Sequence, residues 1–275
     1  MNLAANTIWW CLVIIIGLFA IAIRARKRRA LLKFLGLTRQ QSRLTVYLSA
    51  LDLLVQVTNL YSQQRDWSGM ALSAAEFESI PSVDRWLSQI NKTSDSFLDS
   101  LFDYLTPTFL RLPKVDLHYL PSPRAVDELH LHDQTLIVIG GTAHNAFAKA
   151  YSDKNMMIME TDDAQKAIRI DHGKHAGRTF RPTRQRPSDG AYETEVAKLE
   201  KIVDDERKTV SFIAEGVGTN GTLSAVHYLI THWEDLWRQH REKPFAICIE
   251  CPTRDLDKTG YMHPSVIVTL AGTDL

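Results

Sequence analysis

Sixteen consecutive residues without a charge, Ile8–Ile23 (IWWCLVIIIGLFAIAI), followed at once by Arg24, Arg26, Lys27, Arg28 and Arg29, constrain this chain more than any other feature. A helix apolar on every face has no side to turn to water. Crossing a bilayer takes about 20 mostly apolar residues, and the uncharged lead Asn2–Thr7 lengthens the run enough. A cleaved signal peptide carries its positive charge before the apolar stretch; here the order is reversed. Lys and Arg beside a span are retained on the cytoplasmic side. The expectation is therefore a single-pass membrane protein with a short outer N-terminus, Trp9 and Trp10 in the outer interfacial belt, and a cytoplasmic body.

The overall charge of zero hides an asymmetry. Residues 1–43 hold eight basic residues and no acidic one, so residues 44–275 carry 24 basic against 32 acidic, a net charge of −8. A basic collar next to a span attracts anionic headgroups of the lipid bilayer, whereas an acidic body argues against non-specific nucleic-acid binding. Three cysteines occur: Cys11 in the apolar run, and Cys248 and Cys251 in FAICIECP. That CxxC ends a strand-like run and has no second pair to complete a zinc site, so it reads as reduced cysteines in a strand.

Four segments follow from the pattern. Residues 1–29 form the anchor with its basic flank. Residues 30–106 read as a helical stalk: Leu44, Tyr47, Leu48, Leu51, Leu54, Val55 and Tyr61 make one apolar stripe, and Val83, Trp86, Leu87, Ile90, Phe97, Leu98, Leu101 and Leu105 make a second, with a turn at Asp66–Met70. Such a stalk can pack within the chain or build a homo-oligomer. Residues 107–133, interrupted by Pro107, Pro113, Pro121 and Pro123, read as a connector. Residues 134–275 alternate short apolar runs (Thr135–Ile139, Met156–Met159, Val210–Ala214, Phe245–Ile249, Val266–Leu270) with helical stretches (Ala143–Tyr151, Tyr192–Asp204, Thr222–His240). The expected fold class is α/β: a Rossmann-like, mostly parallel three-layer domain behind an N-terminal transmembrane helix and helical stalk.

Two turns in this body have the order strand, glycines, helix. In TLIVIGGTAHNAF, Gly140 and Gly141 end a strand, and Thr142, His144 and Asn145 stand at the entry to a helix. In TVSFIAEGVGTNGTLSAVHYLI, Gly216, Gly218 and Gly221 give GxGxxG, with Thr219 and Thr222 adding hydroxyls. Glycines let backbone amides approach an oxygen-rich group, and a helix N-terminus favours an anion. Between the turns lies the most basic stretch of the body, with Lys174, Arg178, Arg181, Arg184 and Arg186 near His172 and His175. If it folds over the turns, Arg forks can grip phosphate or carboxylate.

The segment Gly216–Pro244 resembles the glycine–helix segment of the LOG and SLOG superfamily of Rossmann-like nucleotide-binding proteins. Gly216, Gly218, Thr219, Lys243 and Pro244 fit its pattern, while Ala214 and Glu215 stand where Pro and Gly belong and Thr222 replaces the acidic residue tied to phosphoribohydrolase chemistry. The resemblance implies a nucleotide-binding fold that senses rather than hydrolyses.

No catalytic motif is complete. His130, His132 and Asp133 form a lone HxH, His172 and His175 lack a third ligand, and Ser211 and Ser224 lie outside any GxSxG elbow. No metal site is therefore expected, and no cofactor is named. Asp153, Asp162 and Asp163 stand near expected strand ends. The expected function is a membrane-anchored module that binds a nucleotide or other phosphorylated small ligand through Gly140, Gly141, Thr142, Asn145, Gly216, Gly218, Thr219, Gly221, Thr222, Arg178, Arg181 and Arg184, as sensor or effector. The alternatives are an enzyme on a nucleotide-like substrate, with Glu215, Glu250, Asp153 or a histidine as acid or base, and a tethered protein-binding scaffold.

Overall fold

The computed structural model describes residues 3–38, 41–49, 51–58, 64–71, 74–91, 115–122, 126, 132–162, 164–183, 193–253 and 264–272. Four helices are present among them: α1 (Leu3–Phe34), α2 (Ala74–Asn91), α3 (Ala146–Asp153) and α4 (Thr219–His240). The strands are β1 (Arg43–Leu48), β2 (Leu51–Thr58), β3 (Gln64–Ala71), β4 (Asp116–Pro121), β5 (Thr135–Ile139), β6 (Met159–Asp162), β7 (Ala167–Ile170), β8 (Thr179–Phe180), β9 (Thr194–Asp204), β10 (Thr209–Gly216), β11 (Phe245–Pro252) and β12 (Ser265–Ala271).

Seven strands form the central sheet in the order β12-β11-β9-β10-β5-β1-β4. The pairs β4–β1, β1–β5 and β5–β10 are parallel, and β9 and β12 run against their neighbours, so five of the seven strands point the same way. This is a mostly parallel α/β sheet, as expected. Strands β1, β5 and β11 are apolar on both sides because both faces are covered. On one face α1, α2 and α4 pack against Leu44, Val46, Ile137, Ile139, Ala197, Leu199, Phe212, Ala214, Phe245 and Ile247. On the other, α3 covers Tyr47, Leu136, Val138 and Ile213, and a small antiparallel sheet, β6-β7-β8, covers Val196, Ala246, Cys248 and Leu270.

Three expectations need correction. The stripe from Leu44 is not a stalk helix: β1 is a central strand, β2 pairs antiparallel with β3, and the expected turn at Asp66–Met70 lies within β3; Tyr61 is outside the described residues. Spacings of three and four also suit a strand buried on both faces, with Leu44, Val46 and Leu48 on one side and Tyr47 on the other. The segment Tyr192–Asp204 is the strand β9 from Thr194 onward, and the connector contains the edge strand β4. The α/β sheet thus draws strands from residues 43–48 and 116–121 as well as from the C-terminal part. The second stripe does form α2, with Val83, Trp86, Leu87 and Ile90 buried; Phe97–Leu105 lie outside the described residues.

Helix α1 is continuous through the basic collar and ends in the core. Leu31, Leu32, Phe34 and Leu35 are buried, and Phe34 lies against Phe212, Trp233 and Phe245 at ring-centre distances of 5.0, 6.4 and 6.4 Å. The helix closes with paired bonds, Leu37 N–H to Leu32 O at 2.8 Å and Gly36 N–H to Lys33 O at 3.1 Å, a Schellman arrangement. Its last carbonyls find buried donors: Thr135 Oγ1 reaches Leu35 O at 2.7 Å and Lys201 Nζ reaches Phe34 O at 2.9 Å. Farther back, Trp9, Trp10, Leu12 to Ile16, Leu18, Phe19 and Ile23 are exposed. Among the described residues no helix is long and apolar enough to cross a membrane; in α1 the side chains at 3–8, 11 and 21 fall outside the described set.

Candidate functional site

Strands β5 and β10 are parallel neighbours that end together, with Ile139 opposite Ala214. The helix after β5, α3, packs on one face of the sheet, and the helix after β10, α4, on the other. Where successive connections leave adjacent parallel strands in opposite directions, a crevice opens beyond the strand ends, the usual ligand position in open α/β sheets. The two glycine turns form its walls. They touch: Gly140 N–H donates to Ala214 O at 2.9 Å, and Thr142 N–H donates to Glu215 Oε1 at 3.2 Å. A Cβ at Gly141 would collide with that carboxylate, so a side chain there would have to push Glu215 aside from Thr142.

Asn145 caps α3 and holds the first turn. Its Oδ1 accepts from Phe147 N–H at 3.0 Å, Ala148 N–H at 3.4 Å and Ser122 Oγ at 3.2 Å, and its Nδ2 donates to Ile139 O at 3.1 Å. Thr222 is likewise committed within the fold, accepting from Gly216 N–H at 3.2 Å and donating to Gly218 O at 3.4 Å. Both are buried positioning residues. Gly141 and Thr142 are half-buried, and Gly218 and Thr219 are exposed at the mouth of the crevice.

The N-terminus of α4 already faces an anion. Glu195, from β9, accepts from Gly221 N–H at 2.7 Å through Oε2 and from Asn220 Nδ2 at 3.4 Å through Oε1. Gly218 has φ +98°, a conformation that favours glycine, and a Cβ there would sit 2.7 Å from Glu195 Oε2. Burial pushes the Glu195 carboxyl above its ordinary range, and the bonds from Gly221 and Asn220 draw it back.

Under the first turn lies a buried charge cluster. Lys198, Glu200 and Glu215 are 0%, 0% and 2% exposed. Lys198 Nζ is 3.0 Å from Glu215 Oε2 and 3.8 Å from Glu200 Oε1, and donates to Met159 O at 2.6 Å. Glu200 accepts from Ile158 N–H at 2.7 Å and Met159 N–H at 3.0 Å. Burial raises the Glu200 carboxyl, against the pull of Lys198 and the two amides. The cluster ties the start of β6 and the Gly141–Thr142 turn to β9 and β10.

The basic stretch is brought to the same side of the sheet but not, in its described part, onto the turns. Arg178 stacks over Phe180 at 5.3 Å, and Arg181 donates to Gln165 Oε1 at 2.8 Å. Phe180 packs against the cluster that includes Val217, and Thr183 bonds Thr194, one residue before Glu195. Arg184 and Arg186 lie outside the described residues, as do His130 and Asp163. Cys248 and Cys251 are free and buried in β11; burial, first among the causes, pushes their thiols up to about 12 and about 11. Among the described residues no group of three or more His, Cys, Asp or Glu could hold a metal ion.

Glu195, Lys198 and Glu200 belong to no motif, and the mixed charges of Tyr192–Asp204 suit a solvated helix as readily as a strand. The signal that marks them is a hairpin: Lys201–Val203, the turn residues Asp205–Lys208, then Thr209–Gly216. Comparison with known proteins yields no match to a family model, a curated protein or a solved structure.

Proposed function

We propose that the chain is a single-pass, membrane-anchored module that binds a nucleotide or other phosphorylated small ligand in the crevice between the Gly140–Thr142 and Gly216–Thr219 turns, as a sensor or effector. The observation that carries this reading is the departure of α3 and α4 to opposite faces from the neighbouring ends of β5 and β10. Support for an anionic ligand comes from Glu195, since α4 presents donors to a carboxylate. A phosphate entering there takes the place of that carboxylate, and its affinity carries the cost of displacement. Support for the anchor is the run Ile8–Ile23, its basic flank and the exposed apolar side chains of α1. On this reading the body is cytoplasmic.

Binding is favoured over catalysis by how the acids are engaged. Glu215 holds Thr142 N–H with one oxygen and faces Lys198 with the other, Glu250 accepts from Thr194 Oγ1 at 2.7 Å, and Asp153 pairs with Lys149 at the far end of α3. Ser211 bonds the Tyr151 hydroxyl inside the core. The test is thermal unfolding of the full-length chain in detergent with a panel of nucleotides and phosphosugars; residues 31–37 belong to the core, so α1 is kept. A ligand at a hundred times its dissociation constant adds about 2.7 kcal/mol. Thr219→Glu, an exposed change at the crevice mouth, is expected to leave the fold intact and abolish the shift. A panel without any shift removes the ligand reading and leaves the scaffold.

A further inference from the structure

We propose that Lys201, Phe34 and Arg241 form a proton-operated joint between α1 and the rest of the domain, looser when the Lys201 side chain is charged and tighter when it is neutral. Lys201 projects from β9 to the helical face, with Phe212 and Phe245 as its cross-strand neighbours. It is 1% exposed. Its Nζ lies 5.1 Å from the centre of the Phe34 ring and 5.6 Å from that of Phe212. It donates to Phe34 O, at the end of α1, at 2.9 Å and to Arg241 O, just past the end of α4, at 3.3 Å. Both acceptors are neutral carbonyls. The partial negative charge of two helix C-termini and the ring faces offset only part of what a buried ammonium loses on leaving water.

The second observation is independent of that charge. Arg241 has φ 57° and ψ −126°, a backbone conformation that glycine takes readily and a residue with a side chain does not. Its guanidinium lies over the Trp237 ring at 5.2 Å, and its strained carbonyl is the one Lys201 holds. A desolvated charge and a strained turn therefore meet where α1 is fastened, which makes this contact the point at which the fastening yields.

Burial pushes the Lys201 ammonium down to about 8, against the pull of Glu242. The groups facing it are few. His240 on α4, held below its usual range by burial and by Lys201, is neutral above pH 7, while β10 and β11 contribute only Phe212 and Phe245. Lys33 on α1 and Lys243 beyond α4 are exposed. Because docking lowers the proton affinity of Lys201, the docked joint favours the neutral amine, and docking tightens as pH rises through about 8.

Hydrogen–deuterium exchange of the full-length chain in detergent, corrected for the intrinsic pH dependence of exchange, tests this. Protection of residues 31–37 and 238–243 should rise on the order of tenfold between pH 7 and pH 9.5 in the wild type. Lys201→Met should be highly protected at every pH, and Lys201→Arg, which keeps its charge, weakly protected at every pH. Wild-type protection that does not change with pH overturns the proposal, as does a Lys201→Met chain less protected than wild type at pH 7.

Discussion

On one face of the central sheet Leu44, Val46, Ile137, Phe212 and Phe245 meet α1, α2 and α4 through side chains that need no partner beyond close packing. On the other face β9 delivers Lys198 and Glu200, and β10 delivers Glu215, into an interior as dry as the first, where every charge must find its complement. One strand thus belongs to two kinds of core. Odd-numbered residues of β9 from Ala197 to Leu199 join the apolar cluster, while Lys198 and Glu200 between and beside them organise the start of β6 and the first glycine turn. Apart from Lys201, the helical face supplies stability that tolerates repacking. The charged face fixes a geometry, and it does so beside the crevice.

Four measurements test this contrast. The largest effect is expected from Lys198→Met, which leaves Glu200 and Glu215 buried without a cation; breaking a buried pair costs about 3–5 kcal/mol, read by denaturant unfolding. A loss under about 1 kcal/mol would show the charged face to be no more demanding than a surface pair. Leu35→Ala, on the helical face, is expected to cost about 2–4 kcal/mol through a cavity, and a second substitution from Phe212 to Leu should not add fully to it because both belong to the same core cluster as Phe34. Glu195→Gln keeps its shape and one acceptor while losing the charge at the α4 N-terminus, so the same unfolding experiment should register a loss of about 1 kcal/mol. The smallest effect is one of pH. Folding raises the Glu200 carboxyl above its ordinary value of 4.5, so the folded state holds the proton more tightly, and stability should climb as pH falls through that raised range and level off below 4.5. Glu200→Gln should remove that slope; a slope unchanged by the substitution assigns it to another group.

Much of the scaffold was legible in the residues. The runs at 135–139, 210–214, 245–249 and 266–270 fall within β5, β10, β11 and β12, and the helical stretches at 143–151 and 222–240 overlap α3 and α4. Each has apolar content of the right length between glycines or charges. The two largest failures have different causes. β1 is buried on both sides, so its polar alternation is missing and its leucines fit a helix equally well. β9 carries Glu195, Lys198, Glu200 and Lys201, a mixture that suggests a solvated helix, because nothing in a linear sequence says that each charge meets a partner inside the fold. At the site, the glycines marked where backbone approaches backbone. They did not reveal that the chain's own carboxylates occupy those approaches.

The unbroken course of α1 from exposed apolar residues into the core has a practical meaning for how such a chain can be cut and recombined. Its first 38 residues are not a cassette. Exchanging them for another N-terminal segment would remove Leu31, Leu32, Phe34, Leu35 and Leu37 from the interior, take from Thr135 its carbonyl acceptor and leave Lys201 with that of Arg241 alone. Any recombination that replaces the start of this helix must therefore preserve its end.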